Sequence, residues 1–73
     1  MSETRILTEI AGRICVIAAA VGADVNEGDE LVFVEAMKME IPVTSTTAGK
    51  IRAILVKLDD VVAEGQVVAI IDA

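Results

Sequence analysis

Apolar positions in this chain come in short runs, separated by clusters of Gly, Asn, Asp and Ser. Ile6 and Leu7 open the first run, and Ala11-Gly12 reads as a turn. Residues 13–21 form a second run. It is β-branched at first and ends in alanines, so its periodicity fits strand or helix. Gly22-Ala23-Asp24 punctuates it. Val25-Asn26-Glu27-Gly28-Asp29 reads as a tight turn, with Asn26 and Gly28 as the positions that tolerate positive φ. Residues 30–36 and 39–45 read as two strands. Pro42 inside the second argues against helix and predicts an edge strand, because proline cannot donate to a ladder.

An internal repeat settles the ambiguous run. At an offset of 37 residues, Ala11-Gly12-Arg13-Ile14 matches Ala48-Gly49-Lys50-Ile51, and Val25-Asn26-Glu27-Gly28 matches Val62-Ala63-Glu64-Gly65. Across residues 2–36 and 39–73, nine of 35 positions are identical without a gap, where chance gives about two. Residues 51–57 read as strand, so residues 14–20 are predicted as strand too. Neither unit can bury its apolar face alone. The sequence therefore predicts an all-β sandwich of two four-stranded antiparallel sheets with pseudo-twofold symmetry, in a single domain over residues 1–73.

Composition agrees. Eleven Val and nine Ile carry the core, with Phe33 the only aromatic. The net charge of −6, the scattered basic residues and the absent aromatic platforms exclude a nucleic-acid binder, and an acidic surface suits basic protein partners. With no His and one Cys there is no Zn or haem ligand set and no Ser-His or Cys-His nucleophile, so catalytic and metal-ligating residues are expected to be none. Cys15 is expected to be a small buried hydrophobe, and a single cysteine points to a reducing, cytoplasmic setting. The N-terminal residues 1–5 lack the apolar stretch of a signal peptide, and no run is long enough to span a membrane.

Lys38 stands between the two units, in Val34-Glu35-Ala36-Met37-Lys38-Met39-Glu40-Ile41. A two-residue hairpin turn ordinarily asks for Asn-Gly or Asp-Gly. Here methionines flank the lysine, and exposed apolar side chains want a binding partner. Met37 and Met39 read as adaptable contacts for partner pockets, or else as apolar filler. Glu35 and Glu40 read as solvated strand-end charges, with recognition as the second role. A tight turn between strands holds the amine outward, where another protein can reach it.

The stretch 35–40 resembles the attachment motif of biotinyl domains, whose core is Ala36-Met37-Lys38-Met39. The glycine of Ala48-Gly49-Lys50-Ile51 and the turn Glu64-Gly65-Gln66 also match that family, and the resemblance runs from about Ile6 to Asp72. It implies a flattened β-barrel, or hammerhead, with the lysine on a protruding hairpin. It further implies biotin joined to Lys38 by a biotin protein ligase, which activates it as the acyl-adenylate. A biotin carboxylase and a carboxyltransferase are the implied further partners. The domain itself would be a non-catalytic carboxyl carrier, monomeric on its own, with acetyl-CoA carboxylase as the default setting.

Many biotinyl domains have a Pro-containing turn where this chain has residues 8–12. Here the turn is expected to rest on Ala-Gly, with some loss of rigidity. The equal spans 12–25 and 49–62 leave no room for the thumb that some members insert, so a thumbless domain is expected, free-standing or excised. Two alternatives share the fold. A lipoyl carrier usually has Asp before and Ala after its lysine, which Met37 and Met39 do not fit. An unmodified hammerhead interaction module would leave Lys38 without a role.

Overall fold

The computed structural model describes residues 2–73; Met1, where the domain and the N-terminal segment begin, lies outside the described residues. Eight strands follow in order: β1 Glu3–Leu7, β2 Gly12–Ile17, β3 Asp24–Val25, β4 Glu30–Ala36, β5 Met39–Thr44, β6 Gly49–Ile54, β7 Val61–Val62 and β8 Val67–Asp72. They form two four-stranded antiparallel sheets, β1-β8-β6-β3 and β5-β4-β2-β7. The predicted all-β sandwich with its pseudo-twofold is what is found: an offset of 37 residues converts one sheet order into the other.

The two halves are interlocked. Each sheet takes its central pair from one half and its two outer strands from the other. β4 and β2 are flanked by β5 and β7, while β8 and β6 are flanked by β1 and β3. A half on its own would therefore lack the edges of its own sheet as well as the opposing layer. The core lies between the sheets and is aliphatic: Ile6, Ile14, Leu31, Ile51 and Ile71 are each at most 2% exposed. Burying each contributes roughly 1.5–3 kcal/mol.

The irregularities repeat as faithfully as the strands. Cys15 in β2 and Arg52 in β6 are the extra residues of equivalent β-bulges, as are Leu31 in β4 and Val68 in β8. Pro42 lies on β5, an edge strand, as its missing N–H requires.

Four local expectations are corrected. β2 ends at Ile17 and β6 at Ile54, so the alanines at 18–20 and residues 55–57 are not strand. The chain leaves each sheet there after one further backbone bond, from Ala18 N–H to Leu31 O and from Leu55 N–H to Val68 O. Gly12 is not a turn residue but opens β2, packed against β4. In the turn after β3 only Gly28 takes positive φ, at 92°. The Asn26 N–H donates to the Asp29 carboxylate at 2.8 Å. Cys15 is half-buried rather than buried, at the bulge of β2, and its Sγ lies 3.5 Å from Phe33 O.

The turns at 8–11 and 45–48 are held by hydroxyls, not by Ala-Gly. Buried Thr8 accepts from Ile10 N–H and donates to Ile10 O at 2.7 Å, and buried Ser45 does the same with Thr47. This is why Pro can be missing there. The connections 18–23 and 55–60 are of equal length, so neither carries an inserted thumb.

Candidate functional site: the β4–β5 turn

Register brings β4 and β5 together as Glu35 opposite Glu40 and Ala36 opposite Met39, which leaves Met37 and Lys38 as a two-residue loop. Both take positive φ, 50° and 64°, the backbone of a type I′ turn. Neither is Gly, Asn or Asp. The left-handed conformation costs about 1–2 kcal/mol at each such residue. The turn is imposed by the strands on either side: residues 30–36 and 39–44 must pair in a register that buries Val32, Val34 and Val43, and two residues remain for the reversal.

The strain sits where exposure is greatest. Met37 is 84% exposed and Met39 62%, and Lys38 is exposed with no ion-pair partner among the described residues. Ala36 is half-buried at the end of the pairing. The amine is thus held on a stiff ribbon, away from the core, with nothing folded over it.

Glu35 and Glu40 differ in surroundings. They face each other across the strands, a like-charge pair that costs a few tenths of a kcal/mol in a sheet. Arg13, opposite Glu35 on its other side, relieves this with an ion pair at 2.9 Å. Arg13 also pairs with Asp59. The hydrogen bond to Glu35 above all, and then the attraction of both carboxylates, raises the guanidinium pKa above its ordinary value. Glu35 is therefore part of an ion-paired group, whereas Glu40 has no basic partner among the described residues.

Arg13 and Asp59 did not stand out in the sequence as site residues. Asp59 takes φ 73° where its counterpart Gly22 takes 91°, and its carboxylate ties the 55–60 connection to β2 beside the lysine hairpin. The available signal was the offset match of Arg13 with Lys50, which marks a cation at that site in both halves.

Residues 6–71 match the biotin/lipoyl family described as "Biotin-requiring enzyme". The chain is 36% identical over 63 residues to the "Biotinylated protein TB7.3 homolog" of Mycobacterium leprae, covering 86% of this chain and 89% of that protein. Among solved structures it is similar to the urea carboxylase of Kluyveromyces lactis, with TM-score 0.94 and 39% identity over 99% of this chain but 6% of that one. It is also similar to a single-chain, multi-domain long-chain acyl-CoA carboxylase, with TM-score 0.86 and 31% identity over 93% of this chain and 7% of that one. In both carboxylases the chain thus corresponds to a small fraction of the whole. The chain belongs to the biotin/lipoyl attachment family, and its cofactor is biotin.

Proposed function

We propose that Lys38 is the residue to which biotin is attached, and that the domain serves as the carboxyl carrier of a biotin-dependent carboxylase. The observation that carries this is the turn itself. A strained two-residue loop presents an exposed amine, unpaired among the described residues, between two exposed methionines, at the motif Ala36-Met37-Lys38-Met39. The site fits a tethered group, since nothing within it competes for the amine and nothing closes over it.

A lysine amine becomes a nucleophile only when a base takes its proton. A biotin protein ligase supplies that base in this reading. Lys38 Nζ attacks the acyl carbon of the biotinyl adenylate, the N–C bond forms, the C–O bond to AMP breaks, and AMP leaves. The product is an amide without charge, so the net charge passes from −6 to −7. Held on Lys38, the cofactor would supply the carboxyl-carrying chemistry that links a biotin carboxylase to a carboxyltransferase. The chain's own contribution is position. It holds the attachment point on a rigid hairpin and raises the local concentration of the tethered group at each enzyme. It supplies no catalytic group.

The acceptor we propose is an acyl-CoA, acetyl-CoA first. Support comes from the likeness to a long-chain acyl-CoA carboxylase, and urea is the rival acceptor, from the urea carboxylase likeness. We place the protein in the cytoplasm as a monomer, on the strength of its single cysteine and acidic surface. Incubation with ligase, biotin and ATP tests the attachment site: wild type gains one biotin by intact mass and Lys38→Arg gains none. Labelling of Lys38→Arg would overturn the assignment.

A further inference from the structure

Among the described residues, four of the six strand ladders join one half of the chain to the other: β1 with β8, β2 with β7, β3 with β6 and β4 with β5. The ladders β2 with β4 and β6 with β8 lie within a half. A fold held mainly between halves does not require both halves to come from one chain. Residues 2–36 of one copy would find every ladder they need in residues 39–73 of a second.

Covalently, the halves are joined by Met37 and Lys38 alone. These are the residues held at positive φ, 50° and 64°. Straightened, both would return to the β region that such side chains ordinarily occupy. The β4–β5 register runs unbroken from Val32–Val43 to Ala36–Met39. Carried one rung further, it sets Met37 of one copy opposite Lys38 of the other. Residues 30–44 then form one strand that needs no reversal. Short, strained connections between mutually dependent units are where copies exchange elements.

We infer that the chain has a second folded form, a dimer in which two copies exchange halves about Met37 and Lys38, and that this form withholds Lys38 from modification. Every ladder of the monomer is kept, four of them now between copies. What changes is the turn. Its strain is released in both copies, against the entropy of bringing two chains together. The balance turns on concentration, and dilute protein is monomeric. Exchange requires the halves to part, which opens both sheets. The dimer therefore forms during folding and persists once formed. In it Lys38 lies along a strand rather than at a hairpin tip. The statement about modification rests on the proposed function; the exchange itself does not.

Refolding from urea at two concentrations about a hundredfold apart tests the exchange, with mass read by light scattering after gel filtration. A dimer is expected at the higher concentration, and it should keep its mass on later dilution. When isotope-labelled and unlabelled chains are refolded together, the dimer should show nuclear Overhauser contacts between Val34 of one copy and Ile41 of the other, which are register partners. Met37→Asn with Lys38→Gly supplies residues that accept positive φ and should lower the dimer fraction about tenfold. Met37→Val with Lys38→Val puts β-branched residues where positive φ is worst and should raise it about as much. Should the valine variant fail to fold, the Asn-Gly comparison carries the test alone. Wild type monomeric at both concentrations, a dimer without those contacts, or a dimer fraction unmoved by Asn-Gly would each overturn the inference. With ligase, biotin and ATP, the isolated wild-type dimer should gain biotin at least about tenfold more slowly than the monomer. Equal rates would overturn the withholding of Lys38. Failure of the Lys38 assignment shows separately, as absence of the mass gain in the monomer.

Discussion

Gly12 lies so close to Glu35 that a Cβ on it would stand 2.4 Å from the Glu35 carbonyl oxygen. Gly49 repeats the relationship with Asp72, at 2.3 Å. In each half a glycine lets β2 or β6 pass against the end of the adjoining central strand, and in the first half that strand leads straight into the lysine turn. Gly12→Ala must push backbone against backbone, with no flexible side chain to yield. It is expected to cost roughly 1–3 kcal/mol. Urea unfolding should show a lower midpoint at unchanged slope. Gly49→Ala should behave alike in stability, while Gly12→Ala alone should also slow biotinylation at limiting ligase.

The turn strain should be separable from the attachment chemistry. Met37→Asn places a residue suited to positive φ at the first turn position, so it should stabilise the fold by about 1 kcal/mol and raise the melting midpoint by about 4–8 °C. If Met37 is also a contact for ligase, the same variant should be biotinylated more slowly. A calorimetric melt and a ligase time course read the two effects independently.

Position, rather than the mere presence of a lysine, should decide modification. Met37→Lys with Lys38→Met keeps composition and charge and moves the amine by one residue. In a two-residue turn that step points it in another direction. The double variant should melt like wild type and gain no biotin by intact mass.

Thr8 and Ser45 should prove to be the true holders of their turns. Thr8→Val leaves Ile10 N–H without its acceptor and should cost about 1–2 kcal/mol. Ser45→Ala should cost a similar amount at Thr47. Their effects should add within about 0.5 kcal/mol in the double variant, measured by urea unfolding, since the turns share no hydrogen-bond partner.

Much of this architecture can be read along the chain, and particular residues show where that reading stops. Pro42 announces an edge strand because its missing N–H is a property of the residue itself. Gly12 looks like a turn glycine, since nothing local distinguishes freedom of φ from need for space. Only the approach of β4 shows which applies. Cys15 looks buried in an apolar run, and it is half-buried, at a bulge whose place is set by pairing with β4.

By itself the sequence determined the class, the repeat and the attachment motif. These rest on local quantities: β-branched residues at strand spacing, matches at a fixed offset, and a lysine between two methionines. The tertiary structure alone decided how the halves exchange their outer strands, which glycines are spacers, and that Arg13 gathers Glu35 and Asp59. Each of those is a relation between residues distant in sequence. It is settled by which strands compete for the same edges and by what the opposing backbone leaves room for, and no local pattern records either.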